Sequence, residues 1–101
     1  MKKLKISKHP GFKVILSHRN LQAAEMTLKE GASTGGPGNK HADSDQWLFV
    51  VEGNGEAIVA GKSVKIKKGD LLLIEANETH EIINSDKNDL VTLNFYSPPE
   101  Y

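Results

Sequence analysis

The chain has 101 residues, enough for one modest hydrophobic core and too few for two, so residues 1–101 are read as a single domain. Thirteen basic and thirteen acidic side chains cancel, and no overall field recruits nucleic acid or an anionic membrane. Cysteine is absent, which removes disulfide and thiol chemistry and leaves only nitrogen and oxygen donors for any metal; a cytoplasmic setting suits such a chain.

No apolar run approaches the roughly 20 residues of a membrane span, and no apolar stretch follows the first lysines as a signal peptide would need. Lys2, Lys3, Lys5, Lys8 and Lys13 crowd the N-terminus and read as a solvated, partly frayed end rather than a basic binding arm. Residues 12–16 form a first strand after Pro10-Gly11, with residues 17–20 as its turn. Residues 21–29 carry helix formers (Gln22, Ala23, Ala24, Glu25), yet Ala24, Met26 and Leu28 alternate with polar neighbours. A strand is assigned, because everything downstream is β and Gly31 ends the run short of helix length. Residues 31–38, GASTGGPG, are a loop.

Residues 39–55, NKHADSDQWLFVVEGNG, bring a histidine, two acids, a glutamine and the single tryptophan to the start of a strand. Alternation predicts Gln46, Leu48 and Val50 on one side and Trp47, Phe49 and Val51 on the other. Gly53-Asn54-Gly55 predicts a tight hairpin through positive φ angles. A strand over 56–60, a turn at Ala60-Gly61-Lys62 and an alternating Val64/Ile66 strand follow. Leu71-Leu72-Leu73-Ile74 reads as a run buried on both faces, followed by strands over 79–84 and 90–96, and Pro98-Pro99 ends the order. Short strands with turns every eight to ten residues predict an all-β sandwich or small barrel.

Two motifs carry a resemblance. Gly69, Glu75, Asn77, His80 and Asn84 keep the spacing of the second cupin motif (glycine, proline, glycine, histidine, asparagine), with Glu75 in place of proline and Asn77 in place of glycine. Aligned on Val51-Glu52-Gly53, the first motif, about residues 36–55, puts Asn39 and His41 on its two histidines and Gln46 on its glutamate; the second covers 69–84. The chain therefore resembles the cupin family, and the resemblance implies a jelly-roll barrel, or double-stranded β-helix, and a homodimer. In typical cupins, three histidines and a glutamate hold a divalent metal. The resemblance thus implies Zn, Fe, Mn or Ni on His41, Gln46 and His80, with no organic cofactor, and dioxygenase, isomerase or related chemistry on small organic acids or sugars.

The departures matter. Neutral amides at two of four positions offer carbonyl oxygens but no charge, which weakens attraction for a dication. Asp43 or Asp45 is a possible replacement carboxylate, and Gln46 is either a ligand or an amide orienting His41 or a substrate. A second reading follows, a barrel that binds or senses a small ligand without metal or turnover. Asn39, Asp43, Trp47, Asn94 and Tyr96 are the expected ligand contacts at the barrel mouth, although Trp47 with Phe49 suits sheet-to-sheet packing or a dimer contact better than a cage. The bland alternative for His41 and His80 is a pair of hydrogen-bonded histidines. Residues 35–38 lack the Lys-Ser/Thr of a phosphate loop, and nothing places a base and an oxyanion hole around Ser44. Enzyme status stays open at this level.

Overall fold

The computed structural model describes residues 1–36, 38 and 40–101. The described residues form eight strands and no helix: β1 (Gly11–His18), β2 (Leu21–Leu28), β3 (Asp45–Glu52), β4 (Asn54–Val59), β5 (Lys62–Lys67), β6 (Leu71–Ile74), β7 (His80–Ile83) and β8 (Leu90–Ser97). They pair antiparallel in two sheets, one in the order β1-β2-β8-β3-β6 and the other β5-β4-β7. This is the two-layer, all-β architecture of a jelly roll.

Alternation along each strand decides what lies between the layers. Met26, Leu28, Leu48, Val50, Ala57, Ile66, Ile74, Ile82 and Leu90 form one buried core. Residues 21–28 are a strand despite their helix formers, because Ala24, Met26 and Leu28 must face that core while β2 pairs on both sides with β1 and β8. Tertiary pairing overrides propensity here. Ala60 and Gly61, with φ of 49° and 79°, make the left-handed pair that a two-residue β4–β5 hairpin needs.

Three sequence expectations need correction. Gly53-Asn54-Gly55 does not close a hairpin, since β3 and β4 lie in different sheets and the chain switches layers there. Gly53 has φ of 91°, and a Cβ on it would sit 2.2 Å from the carbonyl oxygen of Asp89; one on Gly55 would meet Leu90 Cδ2 at 2.6 Å. Close approach of the 89–90 segment therefore accounts for both glycines. The run Leu71–Ile74 is buried on one face only: β6 is an edge strand, Leu72 and Ile74 point inward, and Leu71 and Leu73 are exposed because no layer covers them. The N-terminal stretch is tied down rather than free at Ser7 and Lys8. Ser7 donates through its backbone N–H (2.9 Å) and its hydroxyl to Glu25, and Lys8 Nζ lies 3.0 Å from Glu52.

Asn84, the last residue of the second motif, is fully buried and stitches the far end of the sandwich. Its Nδ2 donates to the carbonyls of Leu28 and Asn88, each at 2.8 Å, and its Oδ1 accepts from the Asp86 N–H at 2.9 Å. Asn84→Leu removes all three bonds and leaves buried backbone groups unpaired. It is expected to lower unfolding stability by about 3 kcal/mol in urea denaturation.

The bond from the Ser7 hydroxyl, with its backbone N–H and the charges of Lys13 and His9, outweighs burial and holds the Glu25 carboxyl below its ordinary 4.5. A carboxyl lowered on folding stabilises the fold above its unfolded value, and that contribution fades as pH falls through the lowered folded value. Glu25→Gln should therefore melt below the parent at pH 7, with the gap closing as pH drops below 4.5. A gap that stays constant with pH would show that charge is not involved.

Candidate functional site

Strand register puts the site at one end of the barrel. Across the inner face of the larger sheet, Gln22 on β2, Tyr96 on β8, Gln46 on β3 and Ile74 on β6 lie side by side in one row. His80 opens β7 in the facing sheet, opposite Val59. His41 stands on the loop before β3. Its carbonyl accepts from the Asn77 N–H at 2.6 Å, which ties this loop to the β6–β7 turn. Asn77 has φ of 70°, a left-handed conformation that asparagine tolerates better than other side-chain-bearing residues, so it can replace the motif's glycine. Asp45 supports the same turn by accepting from the Ala76 N–H at 2.8 Å.

These ties bring His41 and His80 together, with ring centroids 4.8 Å apart. Tyr96 and Tyr101 meet the His41 ring edge-on at 5.2 and 5.7 Å, and Phe12 packs against both tyrosines. Together with Gln46, Met26, Leu28, Ile82, Ser33 and Thr34 they line a cavity of about 300 Å³, polar at the histidines and apolar along the core side. That volume is at the small end of ligand pockets.

The electrostatics are mild. His80 Nδ1 lies 3.3 Å from the Glu78 carbonyl, which only accepts, so this bond places the proton on Nδ1 and leaves the lone pair on Nε2. Burial, with a smaller contribution from His41, pushes the His80 pKa below its usual 6.5 against the opposing pull of Glu78. Burial likewise raises the Tyr96 and Tyr101 phenols, so both remain protonated hydrogen-bond donors. No lysine or arginine lines the cavity among the described residues. His41 Nδ1 faces the Glu100 carboxylate at 3.6 Å.

Gln46 is buried at the cavity wall. Its Nε2 donates to Asn94 Oδ1 at 3.3 Å, while its Oε1 and the Asn94 Nδ2 have no partner. A buried unpaired acceptor costs about 1–3 kcal/mol, so the fold holds Gln46 here at a penalty.

Of the residues expected from sequence, His41, Gln46, His80 and Tyr96 line one cavity. Asn94 stands behind it, fully buried as the partner of Gln46. Trp47 does not line it, because alternation from Gln46 turns it to the outer face, where it is 41% exposed. Asp43 is exposed on the loop, and the Asp45 carboxylate is engaged with the β6–β7 turn; neither lines the cavity. Asn39 lies outside the described residues. Tyr101, Glu100 and Gln22 were not expected. Pro98-Pro99 suggests an end to ordered structure, yet Gln22 Oε1 accepts from the N–H groups of Glu100 (3.1 Å) and Tyr101 (2.9 Å). The signal available was a polar residue at an inward position of β2, which must find buried partners.

The described donors do not fit a resident dication. Two imidazoles and an amide bring no negative charge, and among the described residues no three His, Asp or Glu side chains converge as a metal site would need. The nearest carboxylate, Glu100, is directed to His41 instead.

Comparison with known proteins agrees with this architecture. A family model described as the cupin domain matches residues 24–96. An oxalate-binding protein of Thermotoga maritima is 34% identical over 67 residues, 66% of this chain but 54% of that protein, so the chain spans about half the length of that relative. The structure of a predicted oxalate decarboxylase from the same organism superposes with a TM-score of 0.79 at 29% identity, covering 87% of this chain and 79% of that one. A Bacillus halodurans structure reaches 0.85 at 22% identity, covering 91% and 73%, a likeness of fold. Motif spacing, two-sheet topology and the family match together make the chain a member of the cupin domain family.

Proposed function

We propose that the chain is a ligand-binding cupin whose cavity takes a compact, oxygen-rich organic acid without a resident metal. The observation that carries this reading is the pairing of His41 and His80, 4.8 Å apart, on the wall of a cavity of about 300 Å³. The Tyr101 phenol, the His41 Nδ1 that faces Glu100, and His80 once it takes up a proton at Nε2 supply donors for carboxylate oxygens. Met26, Leu28 and Ile82 bound the space and favour a short molecule. The names given in the Thermotoga maritima matches, oxalate-binding protein and predicted oxalate decarboxylase, support a small carboxylic acid as the ligand class. Apart from the histidines, no titratable side chain on the described cavity wall is suited to act as a base near pH 7, so binding is favoured over turnover.

The metal-bearing reading rests on the same two rings, because a pair of imidazoles is a partial donor set for Zn, Fe, Mn or Ni. Calorimetric titration of oxalate into chelator-treated protein separates the two. Metal-free binding, weakened about tenfold or more in His41→Ala and His80→Ala, is expected. Binding that returns only after a divalent metal is added, with near-stoichiometric metal in the parent and little in either variant, would replace this reading with the metal-bearing one. The absence of binding under both conditions would sink both.

Proton linkage gives an independent check. Burial keeps His80 neutral in the empty cavity, and an anion beside it favours the charged ring, so binding takes up a proton. Affinity for oxalate should rise as pH falls from 8 to 6, and the calorimetric enthalpy should depend on the ionisation heat of the buffer. A flat profile would show that the anion is held without protonation of His80.

We also propose that two copies associate through the outer face of β3 and β6, where Trp47, Phe49, Leu71 and Leu73 present exposed apolar side chains. Light scattering should give a dimer for the parent and a monomer for Trp47→Glu.

A further inference from the structure

Residues 98–101 return to the cavity after β8. The Ser44 hydroxyl donates to the Pro98 carbonyl at 2.7 Å. Gln22, 2% exposed, holds Glu100 and Tyr101 in a clamp: its Oε1 accepts from both of their N–H groups, and its Nε2 donates to the Tyr101 carbonyl at 2.7 Å. One consequence is that the Tyr101 ring forms part of the cavity wall, edge-on to His41 and Tyr96, although the residue is 62% exposed. The other is that the Glu100 carboxylate sits 3.6 Å from His41 Nδ1. The chain has thus placed a carboxylate of its own against one of the two cavity histidines.

We propose that residues 98–101 are a built-in competitor for the cavity: an incoming carboxylate replaces Glu100 at His41 and lifts Tyr101 from the wall. This rests on the reading of the cavity as an organic-acid site. Both components of the device are suited to displacement. The Glu100–His41 pair is loose: its 3.6 Å separation exceeds hydrogen-bond length, and the Glu100 side chain keeps 27% of its surface in solvent. Tyr101 lies at the rim and leaves without disturbing the core, since none of its ring partners belongs to the apolar core cluster. The clamp on Gln22 is the stronger restraint, because release of the tail leaves a buried amide to be resatisfied by water or by the ligand. A ligand must overcome that restraint, which lowers its apparent affinity by the fraction of molecules in the open state.

The test is a titration of oxalate, with acetate as a single-carboxylate probe, into the parent, Glu100→Gln and Gln22→Ala. Affinity is read by calorimetry and the tail by the Glu100 and Tyr101 amide resonances. In the parent, oxalate should shift both amides from hydrogen-bonded to free positions. Glu100→Gln should bind about three- to fivefold more tightly. Gln22→Ala, if folded, should show free amides before any ligand is added, and binding by either variant where the parent binds none also supports the competitor. Oxalate binding with the parent's tail amides unmoved, or weaker binding by Glu100→Gln, overturns the competitor and leaves the organic-acid reading standing, with the tail as a fixed wall. No binding of either probe by the parent or either variant overturns both.

Discussion

Along a strand of a two-layer barrel only every second side chain can point between the layers, and the functional end of this molecule follows from that constraint. Once Leu48 and Val50 are committed to the core, Gln46 must face inward and Trp47 outward. The same parity on β8 places Asn94 and Tyr96 inside, and on β2 it places Gln22 inside. Gln22, Tyr96 and Gln46 therefore arrive at one level of the barrel, with Asn94 one inward step deeper beside Leu48, without any of them being a good core residue. They are tolerated because the apolar core lies further along the same strands and because they hydrogen-bond with one another, with the tail, or not at all. The one pair left short, Gln46 and Asn94, sits where the cavity begins.

The fold was legible because alternation and turn chemistry are local. Val64, Ile66, Leu48 and Val50 announce their parity, and Ala60-Gly61 announces its hairpin. What failed was whatever depended on layer assignment. Whether β3 and β4 pair with each other or lie in different sheets is not encoded in Gly53-Asn54-Gly55; both outcomes need glycine, one for φ and the other also for close approach to Asp89. Likewise, four consecutive apolar residues in β6 cannot reveal that one face has no layer over it; Trp47 and Phe49 on the interior strand β3 are exposed on the same face.

The site was legible to the extent that motif spacing is a statement about geometry. His41 and His80 lie 39 positions apart by residue number, and the spacing of the two motifs brought their rings to 4.8 Å. The substitutions within the motifs divide into two kinds. Asn77 preserves the backbone geometry of the glycine it replaces and holds His41 through its own N–H, so it is conservative where it counts. Gln46 preserves shape and removes charge, so it changes the chemistry. The tail escaped notice because its restraint is a side chain on β2 bonded to backbone 78 and 79 residues away, and backbone partners leave no trace in sequence.

The electrostatic consequence links these observations. A barrel with a carboxylate at position 46 would carry a fixed negative charge among its imidazoles and would suit a cation. With glutamine there, the cavity wall is neutral, and its histidines are free to respond to whatever charge approaches. In the molecule as folded, the approaching charge is Glu100, carried on a segment that is tethered by hydrogen bonds rather than built into a sheet. The carboxylate in this site is thus on a short tether at the rim instead of on a rigid strand within. A group on a rigid strand can define a permanent coordination sphere, whereas a group on a tether can be exchanged. On the proposed reading of the cavity, this placement suits reversible occupation of the histidine pair by an anion rather than a fixed coordination sphere.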